Sequence, residues 1–282
     1  MLKKKSIAFI GAGSMAEAMI SGIVKAEKIP PNQIVILNRS NQERLKQLET
    51  AYGIKGAVIH ELDFSKIDII VLAMKPKDAQ TALHSIRDYI QPHHIILSVL
   101  AGITTSFIEH FFPSGQQVIR VMPNTSSMIG ESATGISSGK HTLQDNLFIA
   151  KELLECFGKV YVIPEDKMDL FTGIAGSGPA YFYYLMEHME KQAVAGGLSE
   201  EAARQIIAQT IFGAAKMILE QNETPAALRQ KVTSPNGTTA KGLHALHING
   251  AGTAIKIAIQ EASGRSREIT SKFNKFNTGV IR

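Results

Sequence analysis

Gly11, Gly13 and Ala16 sit in the run FIGAGSMAEAM (residues 9–19), behind a short apolar stretch and at the start of a helical pattern. In such a turn the first glycine permits a tight bend and the second lets a pyrophosphate approach the backbone. Alanine can serve as the third small residue, where helix and strand pack closely. Ser14, Met15 and Ala16 then offer the first N–H groups of a helix whose dipole attracts phosphate. A plain tight bend into a helix fits the same letters. At the next strand end the chain reads LNRS, so Asn38, Arg39 and Ser40 bring donors and one fixed positive charge. Turns that select NAD place an acid there to hold the ribose hydroxyl, whereas these residues suit a 2′-phosphate. NADPH is therefore the expected cofactor, with NADH also accepted; the plainer account is capping of a helix from Asn41.

A second candidate lies in VTSPNGTTAKGL (232–243). Pro235, Asn236 and Gly237 make a turn, and Thr238 and Thr239 begin a helix, so free N–H groups and hydroxyls converge as an anion site suited to a carboxylate. Read alone, this is also a helix-capping turn. Lys75 and Pro76 follow the run DIIVLAM, and Ala101 and Gly102 follow HIILSVL. Both pairs thus stand at the carboxyl edge of a parallel sheet, where a dinucleotide must pass. His244 and His247 share a helix face, but a metal site needs further ligands, so no metal is expected. Hydride transfer from a cofactor asks for orientation rather than a side-chain nucleophile, in keeping with a chain in which no Ser/His/Asp or HExxH pattern stands out.

The elements that must position these residues are two kinds. SIAFI (6–10), IVIL (34–37), DIIVLAM (68–74), HIILSVL (94–100), QVIRVM (117–122) and KVYVI (159–163) read as strands. Their near-continuous Ile, Val and Leu fit parallel strands covered on both faces. Helical stretches at 14–26, 41–51, 76–90, 104–111 and 142–156 alternate with them, giving an α/β Rossmann-type doubly wound sheet over residues 1–164. From 165 to 282 long helical patterns replace the strands, as an all-helical C-terminal dimerisation domain. In the stretch from Leu198 to Gln221, Ser199 caps a helix with Ile207, Ile211, Ala214 and Ile218 on one stripe and Ile206, Phe212 and Met217 on another. A helix apolar over so much of its girdle is expected between subunits.

The 282 residues are 44% hydrophobic and 20% charged, an ordinary globular balance. The net charge of +5 is spread out apart from Lys3, Lys4 and Lys5, and aromatics are only 6%, which argues against a nucleic-acid partner. No run approaches the roughly 20 apolar residues of a membrane span. MLKKKSIAFIG reads as a first strand rather than a secretory signal. One cysteine, Cys156, precludes an intrachain disulfide and fits a reducing cytoplasm.

LAMKP (72–76), SVLAGI (98–103), RVMPNTSSMIGESATGI (120–136), AGSGPAY (175–181) and VTSPNGTTAKGL, in this order behind the opening turn, resemble the pyrroline-5-carboxylate reductases over essentially the whole chain. The resemblance implies reduction of the cyclic imine to L-proline by NAD(P)H, the last step of proline biosynthesis. It also implies a homodimer interlocked through the C-terminal helices, with dimers assembling into decamers. It assigns Ala73, with Lys75 and Pro76, to the cofactor lining, sets Ala101 and Asn124 near the nicotinamide, and brings Glu165 to the substrate. Ser234, Gly237, Thr238 and Thr239 form the substrate loop, with Ser234 and Thr239 catalytic and Thr239 the donor to the ring nitrogen. Glu165 reads equally well as an acidic first-turn residue. Gly176, Gly178 and Pro179 are expected to kink a long helix, with Ser177 a further contact. The family commonly has glycine where Asn236 stands; asparagine tolerates a left-handed backbone better than most residues. Two other readings stay open: a β-hydroxyacid dehydrogenase using Lys216 or Lys241 as base, and a nucleotide-binding regulator without catalysis.

Overall fold

The computed structural model describes residues 2–39 and 41–278, with side chains as far as Phe273. Strands β1 (Ile7–Ile10), β2 (Ile34–Leu37), β3 (Lys55–Ala57), β4 (Ile69–Leu72), β5 (Ile95–Ser98), β6 (Gln117–Met122), β7 (Ser132–Ser138) and β8 (Gly158–Val162) form one sheet, in the spatial order 3-2-1-4-5-6-7-8. Pairing is parallel except between β6 and β7. The chain turns back on itself between β1 and β4, the switch point at which such sheets bind ligands.

Helices α1 (Ser14–Lys25), α2 (Gln42–Tyr52), α3 (Ala79–Ile86), α4 (Thr105–Glu109) and α5 (Gln144–Leu154) cover the sheet. Ile7 and Phe9 of β1 pack with α1 and α5, whereas Ala8 and Ile10 pack with α3 and α4. This two-sided burial is why the strands carry no polar alternation. The stretch 76–90 is shorter as an α-helix than its sequence suggests, with 3₁₀ turns at Pro76–Asp78 and Arg87–Tyr89 flanking α3.

His94, fully buried between β4 and β5, accepts from the Gln91 N–H at Nδ1 (2.9 Å) and places Nε2 2.9 Å from the Phe64 carbonyl. Burial lowers its pKa below the ordinary 6.5. A depressed pKa favours the neutral folded form, so this stability is present above about pH 6.5 and is lost as pH falls below it. Thermal unfolding should show a fall in Tm across that window, smaller in His94→Gln.

After α6 (Met168–Phe171) comes a π-helical turn, Thr172–Gly176, closed by the Ser177 N–H on the Thr172 carbonyl (2.8 Å). Then follow α7 (Gly178–Ala195), α8 (Glu200–Glu220), α9 (Pro225–Lys231), α10 (Thr238–Ile248) and α11 (Ala251–Thr278). The Gly-Ser-Gly segment thus separates two helices instead of bending one. The chain forms two compact units: one holds the sheet through Ser177 and returns from Glu261 onward, and the other spans Gly178–Gln260. In the second, the Ser199 hydroxyl caps α8 by accepting from the Ala202 N–H (3.2 Å). Among the described residues no helix is long and apolar enough to cross a membrane.

Candidate active site

In the first unit, Gly11 has φ +111°, and a Cβ there would lie 2.7 Å from backbone atoms of Ala73 and Met74. Only glycine lets the β1–α1 turn touch the end of β4. Gly13 caps α1 with extended backbone and no side-chain bond, and a Cβ on it would meet only the Ala73 carbonyl, at 3.9 Å. The approach to the N–H groups of Ser14 and Met15 is therefore open, while Ala16 is fully buried against the sheet. These three positions fit a pyrophosphate.

The sequence reading overlooked Arg44 of α2. Its Nε donates to the Ala12 carbonyl (3.2 Å), and its guanidinium pairs with Glu17, whose carboxylate also accepts from Tyr52 Oη (3.3 Å). Arg44 thus pins the glycine turn and neutralises an acid in the first turn of α1. Nothing in its spacing marks it, since the contact crosses 32 residues. Asn38 Oδ1 accepts from the Asn41 N–H (3.2 Å), and Asn41 caps α2. Arg39 is exposed and makes no hydrogen bond or ion pair among the described residues; Ser40 lies outside them.

At the strand ends, Ala73 is half-buried, Lys75 is exposed and extended, and Pro76 opens a 3₁₀ turn. Ala101 is exposed. Gly102, at φ +75°, faces Ile269 of α11, which a Cβ would strike. Helix packing, not approach to a ligand, is sufficient reason for this glycine.

Asn124 is committed within the protein: Nδ2 donates to the Ala175 carbonyl (3.0 Å) and Oδ1 accepts from the Ser126 N–H (3.0 Å). It ties the π-helical turn to the end of β6. Glu165 accepts from the Thr105 N–H at Oε1 (2.9 Å) and from the Thr105 hydroxyl at Oε2 (2.7 Å). Arg120, its side chain only 4% exposed, lies 3.5 Å from Glu165 and 3.8 Å from Asp169, which accepts from Ser266 of α11 (2.6 Å). Removing a buried charge strands its partners, so Arg120→Met should cost about 3–5 kcal/mol in urea unfolding.

In the second unit, Asn236 has φ +58°, the left-handed backbone that suits asparagine. The Gly237 N–H donates to the Ser234 carbonyl (3.1 Å), and a Cβ on Gly237 would strike the Ser234 hydroxyl. No side chain caps α10, so its first N–H groups are available beside the exposed hydroxyls of Ser234, Thr238 and Thr239. That arrangement can hold a carboxylate. Elsewhere in this unit Phe182, Tyr183, Tyr184 and Leu185 of α7 and Ile206 and Phe212 of α8 are at least half exposed. So large an apolar surface marks an interface. Cys156, in the first unit, has its thiol pushed up to about 11 by burial, and so is no nucleophile at neutral pH.

Residues 165–269 match the family model described as pyrroline-5-carboxylate reductase dimerisation, and residues 6–102 match the one described as NADP oxidoreductase coenzyme F420-dependent. The chain is 58% identical over 272 residues to pyrroline-5-carboxylate reductase 1 of Bacillus subtilis (strain 168), covering 96% of this chain and 92% of that one. It is 46% identical over 269 residues to reductase 2 of the same organism, across 95% and 96% of the two chains. Its structure resembles the Plasmodium falciparum pyrroline carboxylate reductase with NADP bound, at a TM-score of 0.86 and 27% identity over 96% of this chain and all of the other. The Coxiella burnetii reductase matches with a TM-score of 0.86 and 29% identity, over 95% and 99% of the chains. The glycine turn and the uncapped threonine helix thus stand in a chain that matches these reductases over nearly its full length, and the chain belongs to the pyrroline-5-carboxylate reductase family.

Proposed function

We propose that this chain reduces the carbon–nitrogen double bond of 1-pyrroline-5-carboxylate to give L-proline, the last step of proline biosynthesis, with NADPH as the preferred reductant. The observation that carries this reading is the 58% identity over 272 residues to a reductase of that name. A nicotinamide, when bound and reduced, supplies the hydride. Gly11, Gly13, Ser14, Met15 and Ala16 hold the pyrophosphate, and Ala73, Lys75, Pro76 and Ala101 line the cofactor. The start of α10, with Ser234, Gly237 and Thr238, binds the substrate carboxylate. Thr239 donates its hydroxyl in a hydrogen bond to the ring nitrogen and so orients the imine; as the hydride adds to the ring carbon, the nitrogen takes up one proton from solvent to give the amine. Glu165 and Asn124 act on the site through the turns they hold, their polar atoms being engaged by Thr105, Ala175 and Ser126.

Asn38, Arg39 and Ser40 receive the 2′-phosphate. A hydrogen bond to a charged group contributes about 1.5–3 kcal/mol, so Arg39→Ala should raise KM for NADPH about 10- to 100-fold and leave NADH nearly unchanged. An equal loss with both cofactors would refute that role. The exposed faces of α7 and α8 are the dimer surface, and dimers assemble further into a decamer; the enzyme works in the cytoplasm. Purified protein mixed with NADPH and pyrroline-5-carboxylate should lose reduced-nicotinamide absorbance and accumulate proline. Cofactor binding without turnover would instead favour a nucleotide-binding regulator.

A further inference from the structure

A groove of about 430 Å³ in the first unit is lined by Pro76, Lys77 and Gln80 on one side and by Arg265, Ile269 and Lys272 of α11 on the other. Its volume is within the range of small-molecule sites. Phe107 and Phe273 complete the lining, their rings edge to face at 6.2 Å. Two separate segments thus bring three cationic side chains around an aromatic wall. Arg265 holds Glu268 at 2.6 Å, but Lys77 and Lys272 have no hydrogen bond or ion pair among the described residues. Glu268 offsets the charge of Arg265, so it is the two lysines whose gathering is unfavourable unless a further anion joins them, and a flat ring packs well against phenylalanine.

We propose that this groove binds a small aromatic phosphate, the ring against Phe273, which Phe107 backs from the core, and the phosphate between Lys77 and Lys272. The groove shares walls with two strand-end turns: Pro76 opens the turn after β4, and Ile269 is the residue that Gly102 accommodates. Its ligand is distinct from the dinucleotide, which the glycine turn after β1 would hold.

Titrating 1-naphthyl phosphate into the protein saturated with NADP⁺, by calorimetry, tests this. One site per chain is expected, weakened by added salt and by about tenfold or more in Lys77→Ala/Lys272→Ala. Both lysines are exposed, but Lys77 follows the cofactor-lining Pro76 within one turn, so an unchanged Tm, and not NADP⁺ affinity, reports that the double variant is folded. The proposal is overturned if the probe does not bind, if NADP⁺ displaces it, if the double variant binds it equally, or if uncharged 1-naphthol binds as tightly.

Discussion

Gly11→Ala is expected to abolish NADPH binding and to destabilise the protein, whereas Gly13→Ala should lose binding with little loss of stability. The left-handed φ of +111° at Gly11 costs a side chain about 1–3 kcal/mol. Its Cβ would also press on the main chain of Ala73 and Met74 at 2.7 Å, and overpacking of that kind costs a further 1–3 kcal/mol or so. Backbone at the end of a central strand cannot give way, so the turn itself must shift. At Gly13 the nearest atom is 3.9 Å away and φ is −78°, so the fold accepts a methyl group. The methyl group then fills the space through which a pyrophosphate must approach α1. Cofactor titration by fluorescence and thermal unfolding, run on both variants, separate the two effects. Normal NADPH affinity in Gly13→Ala would mean that the dinucleotide does not lie on this helix start.

Thr239→Ala should reduce kcat by about a hundredfold or more, the range for one positioned donor to developing charge, while NADPH affinity and Tm stay within error. Thr239 is exposed in the first turn of α10 and its hydroxyl caps no neighbour, so a stability change has no source in the contacts seen. Thr239→Ser retains the hydroxyl and should keep most of the rate. If serine fails as badly as alanine, the methyl group and not the donor is the essential feature, and the assignment of Thr239 to the ring nitrogen falls.

Much of the fold was legible because burial on both faces writes itself as continuous Ile, Val and Leu: β2 and β6 begin and end where their sequences suggest. β7 was not legible. It reads SATGISS, and its buried polar residues are satisfied by one another and by the backbone, Ser132 with Thr134 (3.0 Å) and Ser137 with the Ile163 carbonyl (2.8 Å). Polarity there looks like loop until the partners are known. β3, three residues long, is held by pairing with β2 and by Glu49 bonding Gly56. Both candidate loops were visible because glycine and threonine mark turns and helix starts locally. Arg44, Arg120 and Asp169 were not, since their contacts join residues far apart in the chain. Arg120 lies within a strand run that reads as apolar, and only its burial between two carboxylates gives it meaning. Glu165 shows the reverse case: its position suggested a ligand contact, and its two oxygens meet Thr105.

Deuteride transfer tests imine reduction most directly. Protein supplied with pyrroline-5-carboxylate and NADPH carrying deuterium at the transferable position of the nicotinamide should release L-proline with one deuterium. Mass spectrometry should locate it on the ring carbon that adjoins nitrogen and lacks the carboxylate. Unlabelled proline, or no proline while the protein remains saturated with cofactor, would contradict the account.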